Sequence, residues 1–318
     1  MIDLPPLAKS PGNSDSGILP GMSVGFPEKP HIAIVGAGKL ASALAPALRA
    51  AGYVIEQIVS RPPAASLRRA RKLAREVHAR AVAIDAVQLH AEIVWFCVLD
   101  GEIEKASRTL REACDWHGKI ALHSSGALTS DALNILRKRG AAVASVHPMM
   151  TFVRGSQPSL VKVPFALEGT RKAVDAACRI VLNLHGQPNL VRKRQKENYH
   201  AWGMFASPLF AALLASAERV AGAAGVNRED AGKRMLPILR QTLANYEHLG
   251  AAESFSGPIA RGDVETVRKH LKSLRGIAGA RDIYVALARG ALRHLPARNR
   301  SALGKILGVK QPRPSDRD

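Results

Sequence analysis

A lysine and a histidine four residues apart, Lys196 and His200, share one face of any helix that carries them. Both head groups can be tuned toward neutral pH. Either therefore suits the proton transfer that accompanies hydride transfer to a carbonyl or imine carbon. Further polar groups stand where apolar runs end: Ser124 and Ser125 in His123-Ser124-Ser125-Gly126, His147 in His147-Pro148-Met149, and Asp100 after Leu99. The two serine hydroxyls suit a substrate carbonyl, hydroxyl or carboxylate, and they serve equally well as caps and turn formers. His147 reads as a catalytic candidate or as a structural histidine fixed before proline, and Asp100 as a loop or capping residue. Ser125, Gly126 and Arg261 are the candidate substrate contacts. Arg261 sits in the compact turn Ser256-Gly257-Pro258-Ile259-Ala260-Arg261-Gly262-Asp263, where it can clamp an anion or pair locally, with Asp263 placed to cap the next helix.

A second group of residues points to a nucleotide. Gly36-Ala37-Gly38-Lys39-Leu40-Ala41 is a G-x-G-x-x-A loop between a β-branched apolar run, His31 to Val35, and a helical pattern from Lys39 to Ala51. Gly36 permits the tight turn, Gly38 lets a pyrophosphate approach the backbone, and Ala41 lets the helix pack close to the sheet. Val98, ending the central strand, joins these as a cofactor contact. An NAD site usually carries Asp or Glu at the end of the second strand. Here Ser60-Arg61 stands there, a pair that can bond and neutralise a 2′-phosphate, so NADP (NADPH) is the expected cofactor. Arg68 and Arg69 follow on the next helix.

These residues need a frame. Apolar runs at 54–59, 82–84, 93–98, 120–123 and 142–147 alternate with helical patterns at 66–79, 103–113 and 131–139, the signature of a doubly wound, mostly parallel sheet. A strand at 165–167, a helix at 170–184 and a possible last strand at 190–191 follow. Beyond Gln195 only helical patterns occur: 196 to about 224 with a kink at Pro208, then 228–248, 263–273 and 280–294. The expected fold class is α/β, an N-terminal Rossmann domain followed by an all-α C-terminal domain. The boundaries read as a disordered Pro/Gly/Ser-rich extension over 1–30, a Rossmann domain over 31–192, a helical substrate and dimerisation domain over 193–295, and a basic tail over 296–318.

Composition narrows the classes. The 318 residues are 47% hydrophobic but 4% aromatic, so aliphatic side chains must do the packing, as in parallel sheets and Ala-rich helices. Three cysteines without a C-x-x-C pair argue against a disulfide framework or a cysteine zinc site, and no metal is expected. With no signal peptide recognisable, the expected location is cytoplasmic. Asn198 to Ala217 lacks Asp, Glu, Lys and Arg but is Ala-dominated and holds His200, Ser207 and Pro208. It reads as a helix buried in a domain or a dimer rather than a membrane span. The formal charge of +20 favours anionic partners. No aromatic-interleaved basic motif accompanies it, so nucleic acid is not the expected partner; a small-molecule substrate and a homodimer are.

The pattern resembles the 6-phosphogluconate dehydrogenase-like reductases with a helical C-terminal domain, which include the deazaflavin-dependent NADP reductases. Within them it most resembles Rossmann-like NADP-binding proteins whose C-terminal domain is of unknown function. The resemblance rests on Gly36 to Ala41, His123 to Leu128, His147-Pro148, Tyr199-His200-Ala201 and Gly257 to Asp263, within roughly 32–274. Lys196 and His200 match positions where the β-hydroxyacid dehydrogenases carry Lys and Asn, the Lys acting in proton transfer; here His replaces the Asn. The resemblance implies an NADP-dependent oxidoreductase of a small anionic metabolite. The alternative is a non-catalytic NADP(H)-binding regulator or scaffold.

Overall fold

A computed structural model describes residues 29–62 and 64–309 of the chain. The extension expected over 1–30, apart from its last two residues, and the final residues 310–318 lie outside that range. The chain divides into two compact units, Met1–Glu197 and Asn198–Asp318.

The first unit is an eight-stranded sheet: β1 (Ile32–Val35), β2 (Ile55–Ser60), β3 (Arg80–Ala83), β4 (Ile93–Phe96), β5 (Ile120–His123), β6 (Ala142–Pro148), β7 (Pro164–Gly169) and β8 (Gln187–Leu190). Their spatial order is β3-β2-β1-β4-β5-β6-β7-β8. The first six are mutually parallel; β7 runs antiparallel to β6, and β8 parallel to β7. Strands such as β1 and β4 are apolar at every position because both faces of the sheet are covered. Ile32, Ile34 and Trp95 enter one apolar core, while Ala33, Val35 and Phe96 enter the other.

Helices α1 (Lys39–Ala50), α2 (Ala64–Glu76), α3 (Asp100–Leu110), α4 (Asn134–Arg137) and α5 (Arg171–Asn183) complete this unit. On α2 the buried stripe is Ala70, Leu73 and Ala74, whereas Arg68, Arg69, Arg71, Lys72 and Arg75 are exposed. Amphipathic packing therefore explains both the helix and its basic face. The helix expected over 131–139 is shorter. Residues Ser130–Leu133 form a 3-10 turn capped by the Thr129 side chain, which accepts from the Asp131 N–H, and α4 follows for a single turn.

The expected division near Arg192 falls five residues further on, because the 3-10 turn Lys193–Gln195 and the first residues of α6 (Lys196–Ala206) cluster with the sheet. The second unit continues with α7 (Pro208–Ala223), α8 (Arg228–Ser254), α9 (Pro258–Arg261), α10 (Val264–Ser273), α11 (Ala280–His294) and α12 (Arg300–Leu307). The single long helix expected from Lys196 breaks at Ser207, which leaves helical geometry (φ −131, ψ −78) ahead of Pro208. A residue before proline is pushed out of the α region. The basic tail expected over 296–318 is corrected over its first part: Leu303 and Leu307 of α12 are buried beside Val267, Leu271, Ala288 and Leu292.

The uncharged stretch is also corrected in part. Counted through the break at Ser207, residues 193–223 form the one stretch, among the described residues, apolar and long enough to cross a membrane, yet none of its apolar 18-residue window is buried within the chain. Trp202 and Phe205 of α6, Leu209 of α7, and Ile238, Leu243 and Tyr246 of α8 are all exposed. The helix interior expected for this stretch is thus not supplied by its own domain.

Candidate active site

The loop after β1 does what its glycines require. Gly36 holds φ +108, and a Cβ there would lie 2.6 Å from the Cys97 carbonyl oxygen, so neither the conformation nor the space admits a side chain. Gly38 differs: the nearest atom to its added Cβ is 3.9 Å away. The protein's own packing would accept alanine there, and the room is left on the open side. Gly38 caps α1 without a side-chain bond, and the first turn of that helix holds no acid. Its N–H groups are therefore available to an anion.

A cavity of about 570 Å³ lies over this loop, beyond the carboxyl ends of β1, β2, β4 and β5. Every cofactor contact expected from the sequence borders it: Gly36, Ala37, Gly38, Lys39, Leu40, Ser60, Arg61 and Val98, and so do Ser124 and Ser125. Sequence reasoning left out Ser66 and Phe152, and noted Arg69 without assigning it to the site. Arg69 Nη2 donates to Ser66 Oγ at 3.1 Å, and Arg61 pairs with Glu102 at 3.4 Å. Arg61 is thus partly neutralised, and Arg69 stands as the more available cation. Cys97, also at the wall, is buried, which pushes its thiol up to about 12; it is not a nucleophile at neutral pH. The donor set suits a phosphorylated dinucleotide: uncapped helix N–H groups at one end and a serine–arginine wall at the other.

Beside the cavity, the turn after β5 gathers most of the proposed catalytic groups. Ser124 Oγ accepts from the Trp95 indole N–H at 2.8 Å, which leaves its own proton to donate. The Ser125 hydroxyl accepts from the N–H groups of Ala127 and Leu128. It shapes the turn around Gly126, so the capping use of this serine is realised. His147 Nδ1 lies 3.0 Å from the Ser124 carbonyl oxygen. A carbonyl only accepts, so that nitrogen carries the proton, and in the neutral ring Nε2 is the acceptor.

Lys196 is the least expected of these. Lysine side chains are almost never fully buried, but Lys196 is 1% exposed, and Nζ donates to the Ser125 carbonyl oxygen at 2.9 Å. Burial lowers its pKa to about 8, against the opposing pull of Glu168 and Asp100. His123, fully buried, donates from Nε2 to Thr129 O and accepts the Ser125 N–H at Nδ1. Burial pushes it down to about 4, so it is neutral and structural. Lys193 ties the same region down through Asp131 at 2.6 Å.

Ser124, Ser125, His147 and Lys196 are therefore brought to one turn, 71 residues apart at the widest bond. His200 also lies on α6 but falls in the second unit, as does Arg261, which is exposed at the end of α9. In the turn around Arg261, Asp263 caps α10 by accepting from the Thr266 N–H and hydroxyl. Gly262 (φ +73) lies against Arg298, and its carbonyl accepts from Asn299. That motif thus has a structural use within its own unit.

Two protein-family models match the chain: a Rossmann-like domain over residues 22–148 and a domain of unknown function, DUF2520, over 163–291. No curated protein matches it in sequence. Among solved structures, a Bacteroides fragilis protein described as a candidate NADP oxidoreductase is 22% identical, covers 82% of this chain and 97% of its own, and superposes with a TM-score of 0.70. A Thermotoga maritima protein is 23% identical over 86% of this chain and 99% of its own, with a TM-score of 0.65. The reductive aminase of Aspergillus terreus, solved with NADPH and ethyl-5-oxohexanoate, is 17% identical over 88% and 99%, with a TM-score of 0.58. At these identities the likeness is one of fold.

Proposed function

We propose that this chain, a Rossmann-like domain joined to a DUF2520 domain, is an NADP-dependent oxidoreductase acting on a small anionic metabolite. One observation carries the reading. The glycine loop, the Ser60/Arg61/Ser66/Arg69 wall and the Ser124–Ser125 turn border one cavity, and a buried lysine is bonded to that same turn. A Rossmann fold alone does not imply turnover, but a titratable lysine at the carboxyl ends of the strands gives it a chemical partner. The cofactor relatives of this fold use is consistent with the site, since the reductive aminase was solved with NADPH.

In this reading Gly36 to Leu40 bind the pyrophosphate through backbone N–H groups, Val98 packs on the dinucleotide, and Ser60, Arg61 and Arg69 take the 2′-phosphate. NADPH supplies the hydride. The Ser124 hydroxyl donates to the substrate carbonyl or imine, and the Ser125–Gly126 turn borders it. Lys196, in its ammonium form, donates the proton that the reduced group gains and is left as the amine, and His147, bonded to the Ser124 carbonyl, borders the substrate beside it.

The exposed apolar faces of α6, α7 and α8 fit a homodimer better than a membrane. The break at Ser207 leaves helices of 11 and 16 residues, each shorter than the roughly 20 needed to span a bilayer. The free cysteines accord with a cytoplasmic location. Ile238→Asp should convert the dimer to a monomer in light scattering.

The test is turnover. Purified protein should oxidise NADPH with some member of a panel of 2-oxo acids and carboxylate-bearing cyclic imines. Lys196→Ala should abolish that rate while leaving NADPH binding intact. Wild-type protein that binds NADPH yet reduces none of the panel would instead be a cofactor-binding regulator.

A further inference from the structure

Among the described residues, two buried side chains other than histidine carry a formal charge, and the charges are opposite: Glu168, 6% exposed, and Lys196, 1% exposed. Both serve the same short turn. Glu168, on β7, accepts from the Ser130 N–H at 2.7 Å and from the Ser130 hydroxyl at 2.8 Å. Lys196 holds the other end of the turn at Ser125 O, an oxygen that also accepts from Ser145 Oγ at 3.1 Å. Ser145 is in turn the register partner of Glu168 across β6 and β7. Six of the nine buried polar residues, His123, Ser125, Ser130, Ser145, Glu168 and Lys196, therefore form one cluster under the turn.

A buried carboxylate is costly unless it is both hydrogen-bonded and charge-compensated. Ser130 supplies the bonds but no charge. A neutral side chain able to accept would hold Ser130 equally well, so the negative charge needs a second use. Resting on the oxidoreductase reading above, we infer that Glu168 is a positioning residue that keeps Lys196 in its ammonium form at the carboxyl ends of the strands.

The surroundings favour this division of labour. Burial drives the Lys196 head group toward the free amine, and the two acids acting against it are Glu168 from β7 and Asp100 from the start of α3. Asp100 is exposed at the cavity, where water screens it, whereas Glu168 and Lys196 are both buried. His123, facing the lysine from β5, is held neutral by its own burial and adds no charge at working pH. Glu168 thus decides how much of the lysine carries a transferable proton near neutral pH, while Ser130 fixes the turn that bears Ser124 and Ser125.

The readout is the titration of Lys196 itself in the full-length chain. With [13Cε]lysine labelling, and the Lys196 signal identified by its absence in Lys196→Arg, the midpoint is followed in wild type and Glu168→Gln. Glutamine still offers Ser130 an acceptor but carries no charge, and the midpoint should fall by about one pH unit or more. Glu168→Asp keeps the charge one methylene further back and should lower the midpoint by a smaller step, which also covers the case in which the glutamine variant does not fold. Midpoints that stay at the wild-type value would overturn the assignment and leave Glu168 as a fastener of Ser130 alone. The titration needs no substrate, so a shifted midpoint in a protein without NADPH turnover would uphold the role of Glu168 and overturn the enzymatic reading instead.

Discussion

Replacing Lys196 by methionine should stabilise the first unit while abolishing turnover. Lys196 is 1% exposed, and its pKa falls from 10.5 to about 8. At about 1.4 kcal/mol per pKa unit, keeping the ammonium buried near pH 7 costs the fold about 3 kcal/mol. Methionine has a similar length without the charge. Its introduction forfeits one hydrogen bond, worth about 1 kcal/mol, and Ser125 O keeps the bond from Ser145. The net expectation is a gain of about 2 kcal/mol near neutral pH. The sign of the pH dependence is fixed by the depressed folded pKa. The unfolded chain takes up the proton more readily, so the cost is complete below about 8, shrinks as pH rises, and is gone above 10.5. The advantage of Lys196→Met should therefore decline by about 2 kcal/mol between about pH 7 and about pH 9.5. Urea unfolding in a Trp202→Phe background would report on this unit, because the remaining tryptophans, Trp95 and Trp116, are both buried in it. A variant that is less stable than wild type near neutral pH, or whose difference from wild type is flat with pH, would refute the claim that a buried ammonium sits there at a cost.

The two glycines of the loop should separate structure from binding. Gly36→Ala forces a φ of +108 and a 2.6 Å approach to Cys97 O, costing at least about 1–3 kcal/mol from conformation alone, seen as a lowered melting temperature. Gly38→Ala should melt like wild type, since its Cβ has 3.9 Å of room, yet lose NADPH binding by calorimetry. Arg69→Ala should weaken NADPH about 10- to 100-fold, as expected for a lost charge-assisted bond, and leave NADH affinity unchanged; equal losses for both cofactors would place the 2′-phosphate elsewhere. His123, depressed from 6.5 to about 4, contributes stability that is present above about pH 6.5 and is lost as pH falls toward about 4. Amounting to about 3 kcal/mol, that acid-side loss should be absent from the pH dependence of unfolding in His123→Asn.

What the sequence made legible was whatever depends on neighbours in the chain. Apolar runs of three to six residues alternating with amphipathic helices mark β1 to β6, and the G-x-G-x-x-A loop lies between β1 and α1 as its spacing requires. Ser60-Arg61 could be placed at the cavity because a strand end is a local feature. The antiparallel return of β7 was not legible, and with it went Glu168, whose partner Ser130 lies 38 residues earlier. The helix expected over 131–139 is shortened and begins as a 3-10 turn for a related reason. Thr129 caps a tight 3-10 turn there, and the Glu168 carboxylate takes the Ser130 N–H, so the segment is shaped by a strand it has not yet met in sequence.

Lys196 shows where local reasoning stops. Helical spacing places Lys196 and His200 on one face and can say no more about which of the two is buried. An exposed lysine over a buried histidine is the ordinary outcome. Here the lysine is the buried member, because Ser125 O and the Glu168 charge meet it from segments 71 and 28 residues away in sequence. Neither interaction alone would justify burying an ammonium, since one hydrogen bond near 1 kcal/mol does not offset the roughly 3 kcal/mol that remains after the two acids have acted. A site that retains such a charge is unstable relative to its apolar equivalent, and the same substitution that relieves the cost removes the proton. Stability and chemistry therefore pull on Lys196 in opposite directions, as expected of a functional group rather than a packing residue.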